Sequence, residues 1–255
     1  MRVAPPATSG ADRVQGSRCR VIGHSVEGRP IEAEVHGSGP DTVLILASIH
    51  GNEPAGTPLL HALADHLDRR PQLLRGRTII LVPVVNPDGY EHNARHNANR
   101  VDLNRNFPAD NRKDRRRYGM SALSEPESVA IFDLIDRHRP SRIISLHQFA
   151  ACIDYDGPGR NLAEAIADAA GLDLERLGGR PGSLGSFAGE QLGIPVITVE
   201  LPSGLKRKSP QELFERFGKM LVQALIWPAR MPRDVASGAA AGTTRHADQL
   251  PQSGR

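Results

Sequence analysis

At 255 residues and 39% hydrophobic content, the chain can bury one sizeable core but is too short to carry a second full domain beside it. Its 32 basic and 29 acidic residues are interspersed and leave a net charge of only +3, and aromatics make up 4%, so the strong basic field and the base-stacking surface of a nucleic-acid binder are both missing. No run approaches the ~18 apolar residues of a membrane span, and the opening stretch MRVAPPATSGADRVQG lacks the apolar centre of a signal peptide.

In chain order, residues 1–18 and 231–255 are rich in Ala, Gly, Ser, Pro and charge with little to bury, which predicts disordered ends around one folded domain over 19–230. Residues 19–26 and 31–35 read as a hairpin pair across Glu27-Gly28-Arg29-Pro30. Four near-continuous apolar runs follow at 42–48 (TVLILAS), 78–85 (TIILVPVV), 142–146 (RIISL) and 195–199 (PVITV), as expected of strands covered by helices on both faces. Between them, Leu59, Leu60, Leu63 and Leu67 fall at helical spacing, with Thr57 as N-cap and Pro58 at the first helical position. Residues 124–138 form a helix opened by Ser124 three residues before Glu127, the pattern of a capping box. Further helices are predicted over 161–170, 183–192 and 210–226. By contrast, residues 86–110 are Asn-rich and without period, and a loop that long inside a compact domain is usually functional. The run NRKDRRR at 111–117 holds five basic residues against one Asp; it reads as a solvated loop or as an attractor for an acidic substrate.

Cys19 and Cys152 are the only cysteines, too few for a disulfide framework and without CxxC spacing. This predicts a reducing compartment, the cytoplasm.

Ligands of open α/β sheets sit beyond the carboxyl ends of the strands, so the polar residues there are the ones to collect: His50 and Glu53, Asn86 and Asp88, His147, and Glu200. Two His and a carboxylate suit a catalytic zinc, because three protein ligands leave one position open. His50 and Glu53 supply the short-spaced pair, and His147 closes the set from another strand. HxxE alone is a weak signal; the convergence of separate sheet-edge positions is what strengthens it. Glu200 is read either as an ion-paired strand end or as a general base. Residues 101–107 (VDLNRNF) alternate like a short strand and place Asn104 beside Arg105, whose planar fork suits a carboxylate; turn stabilisation is the alternative. His92 and His96 lie in a stretch too rich in Asn for a stable helix, and His61 and His66, five apart, do not share a helix face.

Taken in order, His50-x-x-Glu53, Asn86-Pro87-Asp88-Gly89, the stretch 102–107, Ser145-Leu146-His147 and Thr198-Val199-Glu200 resemble the zinc carboxypeptidase family, the carboxypeptidase A-like metallopeptidases, over residues 20–228. The stretches HNANRVDLNRNFP, CIDYDGPG and RPGSLGSFAGEQLGIPVITVELP are most similar to the bacterial murein peptide amidases, which cut the γ-D-glutamyl to meso-diaminopimelate bond of cell-wall tripeptide. The resemblance implies a mixed, mostly parallel twisted sheet with helices on both faces, and one Zn²⁺ per chain held by His50, Glu53 and His147. It further implies Glu200 as general base, Arg95 as the group that polarises the scissile carbonyl, and Asn104 with Arg105 as the grip on the substrate's terminal carboxylate. Asp154 and Asp156 are candidate partners for the second ammonium of diaminopimelate. One departure stands out: residues 178–187, GGRPGSLGSF, have no counterpart of the mobile tyrosine of the digestive enzymes, a feature the murein amidases share. The expected partner is a small muropeptide-derived peptide, with neither nucleic acid nor membrane, and the oligomeric state stays open. Two other readings remain, an N-acyl amino acid deacylase of the succinylglutamate desuccinylase or aspartoacylase type and a catalytically silent zinc- or peptide-binding domain.

Overall fold

A computed structural model describes residues 18–228. The expectation of disordered ends falls on residues outside that range, except at Arg18, which opens the first strand. A hairpin of β1 (Arg18–His24) and β2 (Pro30–Gly37) leads into β3 (Asp41–Ala47), helix α1 (Gly56–Arg69), β4 (Arg77–Val82) and the short helix α2 (Pro87–Glu91). Then come α3 (Pro126–His138), β5 (Arg142–Phe149), β6 (Cys152–Asp156), α4 (Arg160–Ala170), β7 (Asp173–Leu174), β8 (Val196–Pro202) and α5 (Pro210–Ile226). The strands form one eight-stranded sheet in the order β1-β2-β4-β3-β5-β8-β6-β7. The central pairs β4·β3, β3·β5 and β5·β8 and the edge pair β6·β7 are parallel, while β1·β2, β2·β4 and β6·β8 are antiparallel. The sheet is therefore mixed and mostly parallel, as expected.

The four apolar runs become the central strands because both of their faces are covered. On one face Val43, Ile45, Leu81, Ile144, Leu146, Ile197 and Val199 pack against Leu59 and Leu63 of α1, Leu162 and Ile166 of α4, and Phe217 and Leu221 of α5. On the other, Leu44, Leu46, Ile80, Val82 and Ile143 meet Ile131, Leu134 and Ile135 of α3 together with Phe107 from an irregular segment and Phe187 from a π-helical one. A single long helix and loops cover this second face, which leaves room for a cleft.

Several local expectations change. The strand predicted over 78–85 stops at Val82, since Pro83 has no N–H to give the ladder. The α1 helix starts at Gly56, and Thr57 does not cap it; its hydroxyl donates to the Pro83 carbonyl at 2.7 Å, tying α1 to the end of β4. No capping box opens α3, because the Glu127 carboxylate turns inward to accept from Val26 N at 3.2 Å and Asn97 Nδ2 at 3.1 Å. The alternating stretch 101–107 is not a strand: Asp102 caps a 3-10 turn over Leu103–Arg105. The predicted 183–192 helix is a π-helical segment, Gly185–Gln191. The α5 helix spans its predicted residues, and Ser209 with Glu212 closes a capping box. No helix among the described residues is long and apolar enough to cross a membrane.

The largest addition is β6. Given no element in the sequence reading, Cys152–Asp156 pairs antiparallel with β8, Cys152 opposite Glu200 and Asp156 opposite Val196. β5 and β8 run two residues past His147 and Glu200, paired with each other as Gln148 with Leu201 and Phe149 with Pro202.

Candidate metal centre and active-site cleft

Beyond β3 the chain turns sharply at Ser48, in the left-handed region at φ 51°, with its hydroxyl 3.3 Å from the Glu53 carbonyl and 2.8 Å from Thr57 Oγ1. The turn closes with Glu53 N donating to the His50 carbonyl at 3.1 Å. Gly51 is required there by close approach, since a Cβ would fall 1.9 Å from the backbone carbon of Gly89 in α2. Thus His50 and Glu53 come to one point at the sheet edge, and His147 reaches it from the adjacent parallel strand β5.

His50, Glu53 and His147 are each 3% exposed. One ligating atom from each lies within 4.8 Å of the others. Nδ1 of His50 stands 2.9 Å from Glu53 Oε1, and Nδ1 of His147 stands 2.9 Å from Glu53 Oε2. An ionised carboxylate only accepts, so two imidazole nitrogens turned onto it either donate a proton to it or turn lone pairs toward a cation shared with it. On its far side, His50 Nε2 is 3.0 Å from Asp102 Oδ1, a partner that holds the tautomer with Nδ1 facing the carboxylate. The donor set fits zinc.

Asp102 also accepts from Arg95 Nε and Nη2 at 3.2 and 3.1 Å, while Arg95 Nη1 donates to Glu53 Oε1 at 3.1 Å. Its Oδ1 further accepts from Asn104 N at 3.1 Å. One carboxylate therefore orients a metal ligand, the half-exposed Arg95 and the turn that carries Asn104 and Arg105. Burial alone would push Glu53 and Asp102 up, but the imidazoles, His147 and His50 on Glu53 and His50 on Asp102, hold both far below the usual carboxylate range. Burial likewise opposes charge on His50, and Asp102 and Glu53 overcome it and raise its pKa. Sequence reasoning quoted Asp102 without giving it a role. Its signal was a carboxylate in the long functional loop, two residues before Asn104.

The Arg95 loop is pinned by asparagines. Asn86 Nδ2 donates to the Arg95 carbonyl at 3.4 Å, and Asn97 Nδ2 donates to Glu125 and Glu127 at 2.7 and 3.1 Å while its Oδ1 accepts from Val101 N at 3.0 Å. This explains the Asn-rich composition: side-chain amides replace the ladder that an irregular segment lacks.

The rest of the cleft is built by strand alternation. Ser145 and His147 of β5, Val196, Thr198 and Glu200 of β8, and Asp154 and Asp156 of β6 face it together, with His147 beside Glu200 in the parallel register. Asn104, Arg105, Arg95 and the segment from Leu177 to Gly185 complete a cavity of about 240 Å³. All nine candidate residues line this one cavity. Glu200 is half-buried and makes no hydrogen bond or ion pair with a described residue, which sets aside the ion-paired strand end within that range. The Arg105 side chain donates to the Asn104 carbonyl and has no acidic partner among the described residues, and burial lowers its pKa. Asn104 Oδ1 accepts from Leu184 N at 2.9 Å, joining the 3-10 turn to the opposite wall. In the basic run, residues 113–117 are exposed, and the Arg117 carbonyl accepts from Asp102 N at 2.8 Å.

Comparison with known proteins places these observations in a family. A family model described as zinc carboxypeptidase matches residues 11–168. Murein peptide amidase A of Escherichia coli K12 is 35% identical over 202 residues, covering 72% of this chain and 79% of that protein. Its Vibrio campbellii namesake is 33% identical over 205 residues, covering 71% and 77%. Among solved structures, murein-tripeptide amidase from E. coli O157 matches with a TM-score of 0.62 at 30% identity, over 86% of this chain and 100% of that one. Carboxypeptidase A from Helicoverpa armigera matches with a TM-score of 0.71 at 21% identity, over 82% and 66%, a likeness of fold alone.

Proposed function

The chain belongs to the zinc carboxypeptidase family, and on that premise we propose that it hydrolyses the γ-D-glutamyl to meso-diaminopimelate amide of murein tripeptide, releasing diaminopimelate. It is a zinc hydrolase whose triad is His50, Glu53 and His147. The observation that carries the substrate reading is the cleft's polarity: acidic Asp154 and Asp156 on the floor and cationic Arg105 on the wall border the same cavity as the triad. An apolar leaving residue would strand these charges, whereas diaminopimelate brings an ammonium and two carboxylates.

When bound, zinc supplies a Lewis acid for the scissile carbonyl and a water that ionises near neutral pH. Glu200, unengaged and facing the cavity, takes a proton from the attacking water and passes it to the departing amine. Arg95 donates to the carbonyl oxygen as that atom gains charge, and Asp102 keeps the guanidinium aimed. Asn104 and Arg105 hold the carboxylate of the leaving residue, so the amide one residue inward is cut. With no tyrosine in residues 177–187, no phenolic hydroxyl from that segment takes part. We place the reaction in the cytoplasm, since Cys19 and Cys152 are both free thiols.

The test is to incubate the zinc-loaded protein with L-Ala-γ-D-Glu-meso-diaminopimelate and measure free diaminopimelate. Release is expected. Release only from acylated amino acids would move the assignment to a deacylase, and release from neither would leave a silent binding domain.

A further inference from the structure

We propose that the cleft reads a zwitterionic side-chain terminus on the leaving residue, Asp156 taking its ammonium and Arg180 its carboxylate, while Asp154 positions the segment that carries Arg180. The inference rests on the amide hydrolysis proposed above.

The two floor acids are not equivalent. Asp154 Oδ1 accepts from Leu177 N at 3.0 Å, so part of its hydrogen-bonding capacity is committed to the backbone leading to Gly178-Gly179-Arg180. Asp156 is 5% exposed, and its Oδ1 is buried without a hydrogen-bond partner. Glycines form the wall over it: a Cβ at Gly185 would fall 1.8 Å from Asp156 Oδ2 and one at Gly179 would lie 3.7 Å from Oδ1. The backbone thus comes up to this carboxyl without satisfying it. Burial, with Asp154 and Glu190 adding like charge, pushes Asp156 up to about 6. An unpaired buried acid facing a cavity is relieved by a cation brought by the ligand.

The cleft's cations divide in the same way. Arg95 is engaged by Glu53 and Asp102. Nearby but outside the cavity lining, Arg176 pairs with Glu190 at 3.0 Å and lies over the Tyr155 ring. Arg105, largely buried, is left for the main-chain carboxylate of the leaving residue. Arg180 lines the same cavity, is exposed, and makes no side-chain hydrogen bond or ion pair with a described residue. Its backbone is nevertheless anchored, the carbonyl accepting from Ser183 N at 3.0 Å and Ser186 Oγ at 2.8 Å. Its charge is felt at Arg105 as repulsion, which an anionic ligand near both would remove.

Apart from Glu200, the free charges are then two cations, Arg105 and Arg180, and one unpaired acid, Asp156. The complement is a residue with two carboxylates and one ammonium. A diamino dicarboxylic acid acylated on one nitrogen has this set; lysine lacks one carboxylate, and glutamate lacks the ammonium.

The experiment compares three peptides of the form L-Ala-γ-D-Glu-X, in which X is meso-diaminopimelate, its distal carboxamide, or its distal N-acetyl derivative. Zinc content and thermal midpoint are recorded for every variant. For the unmodified chain, kcat/KM is expected to drop about 10- to 100-fold for each altered peptide, the worth of one charge-assisted contact. In Arg180→Ala the ratio of free acid to carboxamide should collapse toward one, and Arg180→Lys should restore part of it. In Asp156→Asn the ratio of free ammonium to N-acetyl should collapse. An unchanged acid-to-carboxamide ratio in a folded Arg180→Ala overturns the role of Arg180. A wild-type ammonium-to-acetyl ratio near one overturns that of Asp156, whether or not its variant folds. Equal cleavage of all three peptides sinks this inference and leaves the amidase reading standing, whereas no release from the unmodified tripeptide overturns both.

Discussion

Replacing Asp156 by Asn should make the protein more stable at pH 8, and by an amount that depends on pH. Burial beside Asp154 and Glu190, only partly offset by Arg176, raises this carboxyl from 3.8 to about 6. An acid whose pKa rises on folding binds more protons folded than unfolded, so its contribution to stability worsens as pH climbs from its unfolded value through its folded one. A rise of roughly two units corresponds to a cost of ~3 kcal/mol at pH 8, shrinking to ~1 kcal/mol near pH 4.5. Asn keeps the shape and removes the charge, while its own unpaired amide gives back part of the gain, which leaves roughly 1–3 kcal/mol at pH 8. Urea denaturation of both proteins at the two pH values reads this difference, and any pH dependence of zinc binding common to both cancels. An Asn variant no more stable at pH 8, or one whose gain is the same at pH 4.5, would refute the reasoning. The same titration acts on function: protonating Asp156 as pH falls through about 6 removes the charge that an ammonium needs, so KM for the tripeptide should rise there. A site that destabilises the free protein to favour its ligand is the expected trade.

Glu200→Gln should retain one zinc per chain and lose ~10²-fold or more in kcat; near-normal turnover by the metal-loaded variant would remove Glu200 from the proton-transfer role. Asp102→Asn should weaken zinc binding ~10- to 100-fold in competition with a chelator, because His50 loses the charged partner on its far nitrogen. Unchanged affinity would show that the Nδ1 face of His50 needs no such support. The exposed basic stretch 113–117 should steer the anionic tripeptide, so kcat/KM should fall as salt is raised from ~10 mM to ~500 mM. Salt independence would argue against steering.

Much of this protein can be argued from residue order alone, where the determining interactions are local or repetitive. The apolar runs at 42–48, 142–146 and 195–199 are strands because a continuous apolar stretch between turn formers finds water on neither face, and Pro210–Ile226 is a helix because its period and its cap agree. The triad was legible for a related reason: parallel strands deliver their carboxyl ends to one edge, so the polar residues that follow them converge whatever the loops do. What depended on distant partners was not legible. Cys152–Asp156 is a strand only because β8 offers it a ladder, and 101–107 alternates like a strand yet turns because Asp102 caps its own backbone at Asn104 N. Asp102 acquires its role through a contact with His50 across 52 positions, and Asp154 and Asp156, neighbours on one strand face, differ only because the Leu177 backbone reaches one and glycines wall off the other. Alternation along a strand put both acids in the cleft; which of them has charge left for a ligand was decided by the chain packed over them.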